Sequence, residues 1–276
     1  MPGRPARSPS PVRSFRKTCF PFRKGKFLLN HIRLSIIIIV SLYLYFATMK
    51  WGQAMARNTA RDEREAERRK KQLLEAGLDL FSRYGIEAVS LQMVAETADV
   101  GVATLYKYYQ NKLNLVVAIS ANVWETVWNE VLQAAGPQEL ERRNAFQLVE
   151  LYCDLMIRLY RERPEVLRFS ANYKSYICRE GVPEDRLSAQ LDVLKPIDLL
   201  FHRKYEAAKS DGSIRTDLPE GELFTTITLT MLGMAERYAQ GLVWAGSPAG
   251  DYGKELSHLK DMLLAWAGDT SGGKTI

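Results

Sequence analysis

From Arg57 to Gly268 the apolar residues recur at helical spacing and the chain is punctuated only by Gly and Pro, at Gly85, Gly136-Pro137, Pro164, Gly181 to Pro183, Gly212 and Pro219. No stretch of useful length alternates apolar and polar residues as a half-buried strand would, and there is no internal repeat. That pattern predicts an all-α chain. Within it, residues 68–112 are the most informative. Leu73, Gly77, Leu80, Phe81 and Tyr84 share one helical face, and Gly85 follows as a stop. Ser90 is placed to cap a second, short helix whose inner face is Leu91, Val94, Ala95 and Ala98. Asp99-Val100-Gly101 reads as a tight turn, and a third helix, Val102 to Tyr109, turns Leu105 and Tyr109 inward. Two short helices joined by so short a turn form a helix-turn-helix.

Charge sharpens this reading only once it is located. The net charge is +6, but residues 1–50 hold ten Lys or Arg and no acid, which leaves 28 basic against 32 acidic residues in the rest. Any contact with DNA must therefore come from a few placed side chains rather than from a globally basic domain. The three cysteines, Cys19, Cys153 and Cys178, imply no disulfide framework and fit a reducing cytoplasm.

The stretch Ser90 to Ile119, SLQMVAETADVGVATLYKYYQNKLNLVVAI, resembles the DNA-binding signature of the TetR family of bacterial regulators. It has the family's Ser or Thr cap, short helix and turn, and then the segment Thr104-Leu105-Tyr106-Lys107-Tyr108-Tyr109-Gln110-Asn111-Lys112. The preceding LLEAGLDLFSRYGIEAVS is similar to the family's first helix and its exit, and the later AKSDGSIRTDLP to a stretch common before its penultimate helix. Three positions depart from the pattern: Asp99 stands where Gly is usual, Gly101 where Ser or Thr is usual, and Leu113 where an acidic residue is frequent. Asp tolerates a left-handed backbone, and Gly is an acceptable cap, so the turn survives both changes.

The resemblance implies an N-terminal three-helix helix-turn-helix DNA-binding domain over 57–112 and a helical effector-binding and dimerisation domain over 113–268. It places Val102, Ala103, Thr104, Lys107 and Tyr108 against the DNA, Tyr106 and Lys112 as phosphate clamps, and Ser90 at a helix N-terminus that favours a phosphate. Without the resemblance, Lys107 and Lys112 are solvated charges and Tyr106 and Tyr108 are surface aromatics. The mixed-sign run Arg57 to Lys71 reads as a solvated helix extension, with a minor-groove arm from Arg57 and Arg61 as the alternative.

Behind the head, a long helix from Asn111 to Ala135 leads into helices over 138–162, 164–179, 184–210, 220–244 and 252–267. Trp124, Trp128, Tyr152, Met156, Phe169, Tyr173, Phe201, Met231 and Met234 gather among them. As residues alone they are a helical core; the resemblance implies a pocket for a small, mostly apolar effector. It also implies a homodimer through the last two helices, on stripes that include Leu223, Ile227, Thr230, Met231, Met234 and Tyr238, then Leu256, Leu259, Met262, Leu263 and Trp266. Two recognition helices must meet two half-sites of double-stranded operator DNA. The expected activity is that of a ligand-responsive repressor. No nucleophile, base and orienter stand together, so no enzyme is expected. Nor does the sequence call for a cofactor, and His31, His202 and His258 show no metal spacing. Gly268 to Thr275 fits the pattern G-x-x-x-x-G-K-T, but a helix precedes it where a phosphate loop needs a strand.

The N-terminal segment 1–56 has its own readings. Residues 1–33 are rich in Pro, Arg, Lys and Ser, as disordered chain is, and Leu34 to Ala47 is an apolar run of fourteen. A spanning helix needs ~20 such residues. A translation start at Met49 or Met55 would remove the run. A membrane anchor over 34–49 would make the protein a membrane-bound sensor, but the positive flank would then place the helix-turn-helix outside, away from DNA. A cleaved export signal is the third reading, with only a poor cleavage pattern at Ala47 to Met49. Residues 269–276 are expected to be a disordered tail.

Overall fold

The structure, a computed structural model, describes residues 57–243 and 250–268. The N-terminal segment, with its apolar run, and the tail therefore lie outside the described residues. Among the described residues no helix is long and apolar enough to cross a membrane.

Three helices make the head: α1 (Arg57–Tyr84), α2 (Leu91–Thr97) and α3 (Val102–Tyr109). The body follows as α4 (Lys112–Ala135), α5 (Pro137–Arg142), α6 (Ala145–Glu162), α7 (Pro164–Arg179), a 3-10 turn at Glu184–Leu187, α8 (Ser188–Asp211), α9 (Glu220–Ala239) and α10 (Gly253–Gly268). The described residues contain no strand.

The predicted faces mostly hold. Leu73, Gly77, Leu80 and Phe81 of α1 are buried, as are Leu91, Val94, Ala95 and Ala98. Tyr84 is the exception at 60% exposed. It is the last residue of α1; the chain turns at Gly85, whose φ is +79°, and Ile86 beyond the turn is buried instead. The helix read over 138–162 is broken in two. Pro137 opens α5, and Asn144 restarts the chain as α6 through a capping box: its side chain accepts from Gln147 N–H, and the Gln147 side chain accepts from Asn144 N–H. The helix read over 220–244 ends at Ala239, because Gly241 at φ +71° lets Leu242 N–H reach back to the Arg237 carbonyl.

Head and body are joined twice. α4 leaves the head directly and is buried along most of its circumference, between α1, α7 and α8. α7 packs along α1, and Asn172 Nδ2 donates at 2.8 Å to the Phe81 carbonyl, which also accepts from Gly85 N–H at 3.2 Å. Arg179 at the end of α7 pairs with Glu87 in the loop after α1. Where α1 crosses α4 the approach is close: a Cβ on Gly77 would stand 2.4 Å from Ile119 Cδ1. Asn172→Ala is expected to lower the unfolding free energy by about 1 kcal/mol in urea titration, the net worth of one hydrogen bond. An unchanged midpoint would show that this hydrogen bond does not hold α7 to the head.

Candidate functional site

α3 is amphipathic over two turns. Leu105 and Tyr109 are buried against the head, and burial pushes the Tyr109 hydroxyl up to about 12. On the other side Ala103 and Lys107 are exposed and Tyr106 stands 49% exposed, while Val102, Thr104 and Tyr108 are half-buried at its edges. Ser90 is exposed and its Oγ accepts from Met93 N–H at 3.1 Å, capping α2.

The turn between α2 and α3 is a left-handed helix stop. Asp99 has φ +52°, Val100 N–H reaches the Ala95 carbonyl at 3.0 Å, and Asp99 N–H the Glu96 carbonyl at 3.1 Å. Glycine adopts that backbone without the clash an L side chain meets. Asp99→Gly is therefore expected to stabilise the head by about 0.5–1 kcal/mol, seen as a higher urea midpoint. A lower midpoint would contradict the turn. Gly101 caps α3 through its carbonyl alone, which accepts from Thr104 N–H at 2.8 Å. Past α3, Gln110 has φ +64° and ψ −41°, with Asn111 N–H on the Tyr109 carbonyl at 2.6 Å. This tight turn stores of order 1–3 kcal/mol where α3 meets α4. Asn111 then caps α4, its Oδ1 accepting from Asn114 N–H at 2.9 Å.

Lys112 is half-buried, and its Nζ donates to the Glu87 carbonyl at 3.1 Å. Burial lowers the affinity of its amine for a proton, with Glu180 acting the other way. An ammonium has three donors, so one bond to the loop leaves others for a phosphate. Lys70 joins the same surface. It belongs to the charged run of α1, where it pairs with Glu67 at 2.7 Å, and its Nζ also lies over the Tyr108 ring of α3, 5.7 Å from the centroid. No local spacing joins residues that far apart in the chain.

Two cavities adjoin among the described residues of the body. One is a crevice of about 20 Å³, room for a water rather than a ligand, between α4, α6 and α8. Trp128, Tyr152 and Phe201 line it, so three of the nine aromatic and sulfur residues named from sequence come together there. The other six lie elsewhere: Trp124, Met156, Phe169, Tyr173 and Met231 are buried in the core, and Met234 is half-buried. The Tyr152 hydroxyl donates to the Thr228 carbonyl at 2.9 Å, bracing α6 against α9. Trp128 is 4% exposed and its Nε1 has no acceptor, a desolvated donor that costs about 1–3 kcal/mol. The second cavity, about 260 Å³, shares Val131, Leu151 and Leu155 with the first and adds Arg143, Asp154 and Arg158. These arginines were not legible as a site, because the break between α5 and α6 brings Arg143 into a wall that Arg158 of α6 also lines.

On the last two helices the stripes divide. Leu223, Ile227, Met231, Leu256 and Leu263 face the body's own core. Tyr238, Met234, Leu259 and Trp266 are half-buried, Thr230 is exposed, and Met262 is 68% exposed. Gly233 lies on the exposed face of α9 with open space beside it. Away from both sites, His202, Glu206 and Glu220 bring ligand-type atoms within 4.8 Å of one another at the surface. His202 Nδ1 lies 2.8 Å from Glu220, and Glu206 is held by Lys209 at 2.6 Å.

Residues 73–119 match the model of the bacterial regulatory proteins of the TetR family. Over 74 residues the chain is 42% identical to the transcriptional repressor KstR of Rhodococcus jostii RHA1, covering 27% of this chain and 35% of that repressor. It thus spans about a third of the length of this relative. In fold it is similar to a TetR-family transcription regulator from Marinobacter aquaeolei VT8, with a TM-score of 0.54, 18% identity, and 74% of this chain and 98% of that one covered. It is also similar to FadR from Bacillus subtilis, solved with stearoyl-CoA, with a TM-score of 0.53, 14% identity, and 71% and 98% covered. The head thus carries a DNA-binding sequence that matches the TetR-family model, and the described body shares the fold of solved TetR-family regulators.

Proposed function

We propose that the chain is a ligand-responsive transcriptional regulator of the cytoplasm, a homodimeric repressor that leaves its operator when a small, mostly apolar effector enters the body. The observation that carries this is the division of α3, with Leu105 and Tyr109 spent on the core and Ala103, Tyr106 and Lys107 left on the solvent side. A helix so anchored fits the ~12 Å major groove end-on. Thr104 and Lys107 then reach base edges or the backbone, Val102 and Ala103 meet thymine methyls, and Tyr108 lies at the groove wall. Tyr106, Lys112 and the α2 N-terminus at Ser90 hold phosphates and set register. Lys70 adds a cation beside them.

Two copies are needed, since half-sites lie one helical turn apart. The outer face of α9, where Gly233 permits close approach, together with Met262 of α10, supports a symmetric pairing of the last two helices. An effector in the cavities between α4, α6 and α8 would displace α4. Because α4 begins at the strained turn after α3, such a shift re-aims the recognition helices. DNA and effector then weaken each other reciprocally.

Fluorescence anisotropy of a labelled duplex from upstream of the chain's own gene tests this. The expected result is binding whose log affinity falls linearly with log salt, with a slope near −0.9 per phosphate contacted. Absence of binding, or binding indifferent to salt, would count against the proposal.

A further inference from the structure

We infer that the body's ligand is an amphipathic carboxylate, with its head group on Arg143 and Arg158 and its hydrocarbon tail between Trp128 and Phe201. This rests on the ligand-responsive reading above and names the chemistry of the ligand.

Charge decides the head group. Arg143 and Arg158 line the larger cavity, and neither guanidinium has a hydrogen bond or ion pair with a described residue. The Nε of Arg143 is buried with no acceptor at all. The one carboxylate in the same wall, Asp154, is already held: its Oδ1 lies 2.6 Å from Lys260 Nζ, which also meets Glu150 at 3.4 Å. The cavity therefore offers two positive groups without counter-ions. A guanidinium binds a planar carboxylate through two parallel N–H bonds, a geometry an alcohol or amide cannot match.

Continuity decides the tail. Val131, Leu151 and Leu155 line both cavities, so the two adjoin across apolar side chains. Trp128 and Phe201 line the crevice beyond them. Its polar groups are the Tyr152 hydroxyl, spent on the Thr228 carbonyl, and the indole N–H of Trp128, which has no acceptor. A sugar or nucleotide would bury hydroxyls and amides against leucines, whereas a hydrocarbon chain suits them. At about 20 Å³ the crevice must widen to admit a tail, and Trp128 of α4 and Phe201 of α8 are the groups to be parted. The ligand thus bears on α4, the helix that begins at the head.

Calorimetric titration of the full chain with hexanoate, decanoate and tetradecanoate, and with the matching alcohols, all below micellar concentrations, tests the inference. At least one acid binds, and binds about tenfold or more tightly than its alcohol, the ratio expected of a hydrogen bond to a charged group. R143Q combined with R158Q removes that advantage and leaves the alcohol's affinity unchanged. Both side chains lack partners, so the variant keeps its fold, which its unfolding curve verifies. Silence from every acid, an alcohol as tight as its acid, or a variant that still prefers acids overturns the inference. Retention of upstream duplex is measured on the same preparation without ligand. Failure there with the acid preference intact sinks the regulator reading alone; loss of the acid preference with DNA retention intact sinks this inference alone.

Discussion

Tyr106→Ala combined with Lys107→Ala is expected to weaken retention of duplex DNA by about 100-fold while leaving the protein folded. Each contact to a base edge or a phosphate contributes roughly 1–3 kcal/mol, and two lost contacts reach that factor at ~1.4 kcal/mol per decade. Both side chains stand on the solvent side of α3, so the unfolding midpoint should move by no more than surface substitutions usually move it, about 0.5 kcal/mol. Anisotropy with a salt titration separates the two: losing a phosphate contact also flattens the salt slope by about 1. Lys112→Met is the contrasting case. It removes a cation proposed to hold a phosphate and also the bond to the Glu87 carbonyl, so it should lower binding and stability together. If the double variant binds like the original chain, α3 is not the reading helix.

Phe81→Ala is expected to cost about 3–5 kcal/mol, the largest effect on stability proposed here. The ring is fully buried, and the position Cβ would occupy on Gly77 lies 3.6 Å from its Cε2, within the α1 to α4 crossing. The Phe81 carbonyl meanwhile receives Asn172 from α7. The residue thus sits where both connections between head and body converge. A domain of ordinary stability has only about 5–15 kcal/mol in all, so the variant should stand near its unfolding threshold. Urea titration by circular dichroism reads this as a fall in midpoint with an unchanged slope. A loss under about 1 kcal/mol would mean that the site repacks and that head and body are joined elsewhere.

The head was legible in the sequence because its determinants are local. The Ser90 cap, the turn at Asp99 and the inward pair Leu105 and Tyr109 all lie within a few residues of what they control, and each recurs in the structure. Gly85 gave the end of α1 correctly, but the face assigned to Tyr84 did not survive, since a helix's last residue follows the exit path of the chain rather than the helical period. The break at Asn144 was missed because a side-chain cap inside an otherwise continuous apolar pattern leaves the periodicity intact. In the body, burial of aromatic residues was easy to foresee, but which of them border a void was not. Trp124 and Trp128 are both buried one turn apart on α4, and only Trp128 lines the crevice. That distinction depends on where α8 crosses α4, a long-range matter on which helical spacing is silent. Arg143 and Arg158 were invisible for the same reason, as was Lys70 beside Tyr108.

The central claim is that two copies of α3 read two adjacent half-sites. Selecting duplexes from a random-sequence pool with the purified chain tests it most directly, because the protein itself then reports what it reads. The expected outcome is a two-fold symmetric motif whose half-sites are centred about 10 base pairs apart or a multiple of that. The double variant at Tyr106 and Lys107 should fail to enrich it. A pool that stays random, or an enriched motif without two-fold symmetry, would mean that paired α3 helices do not read DNA.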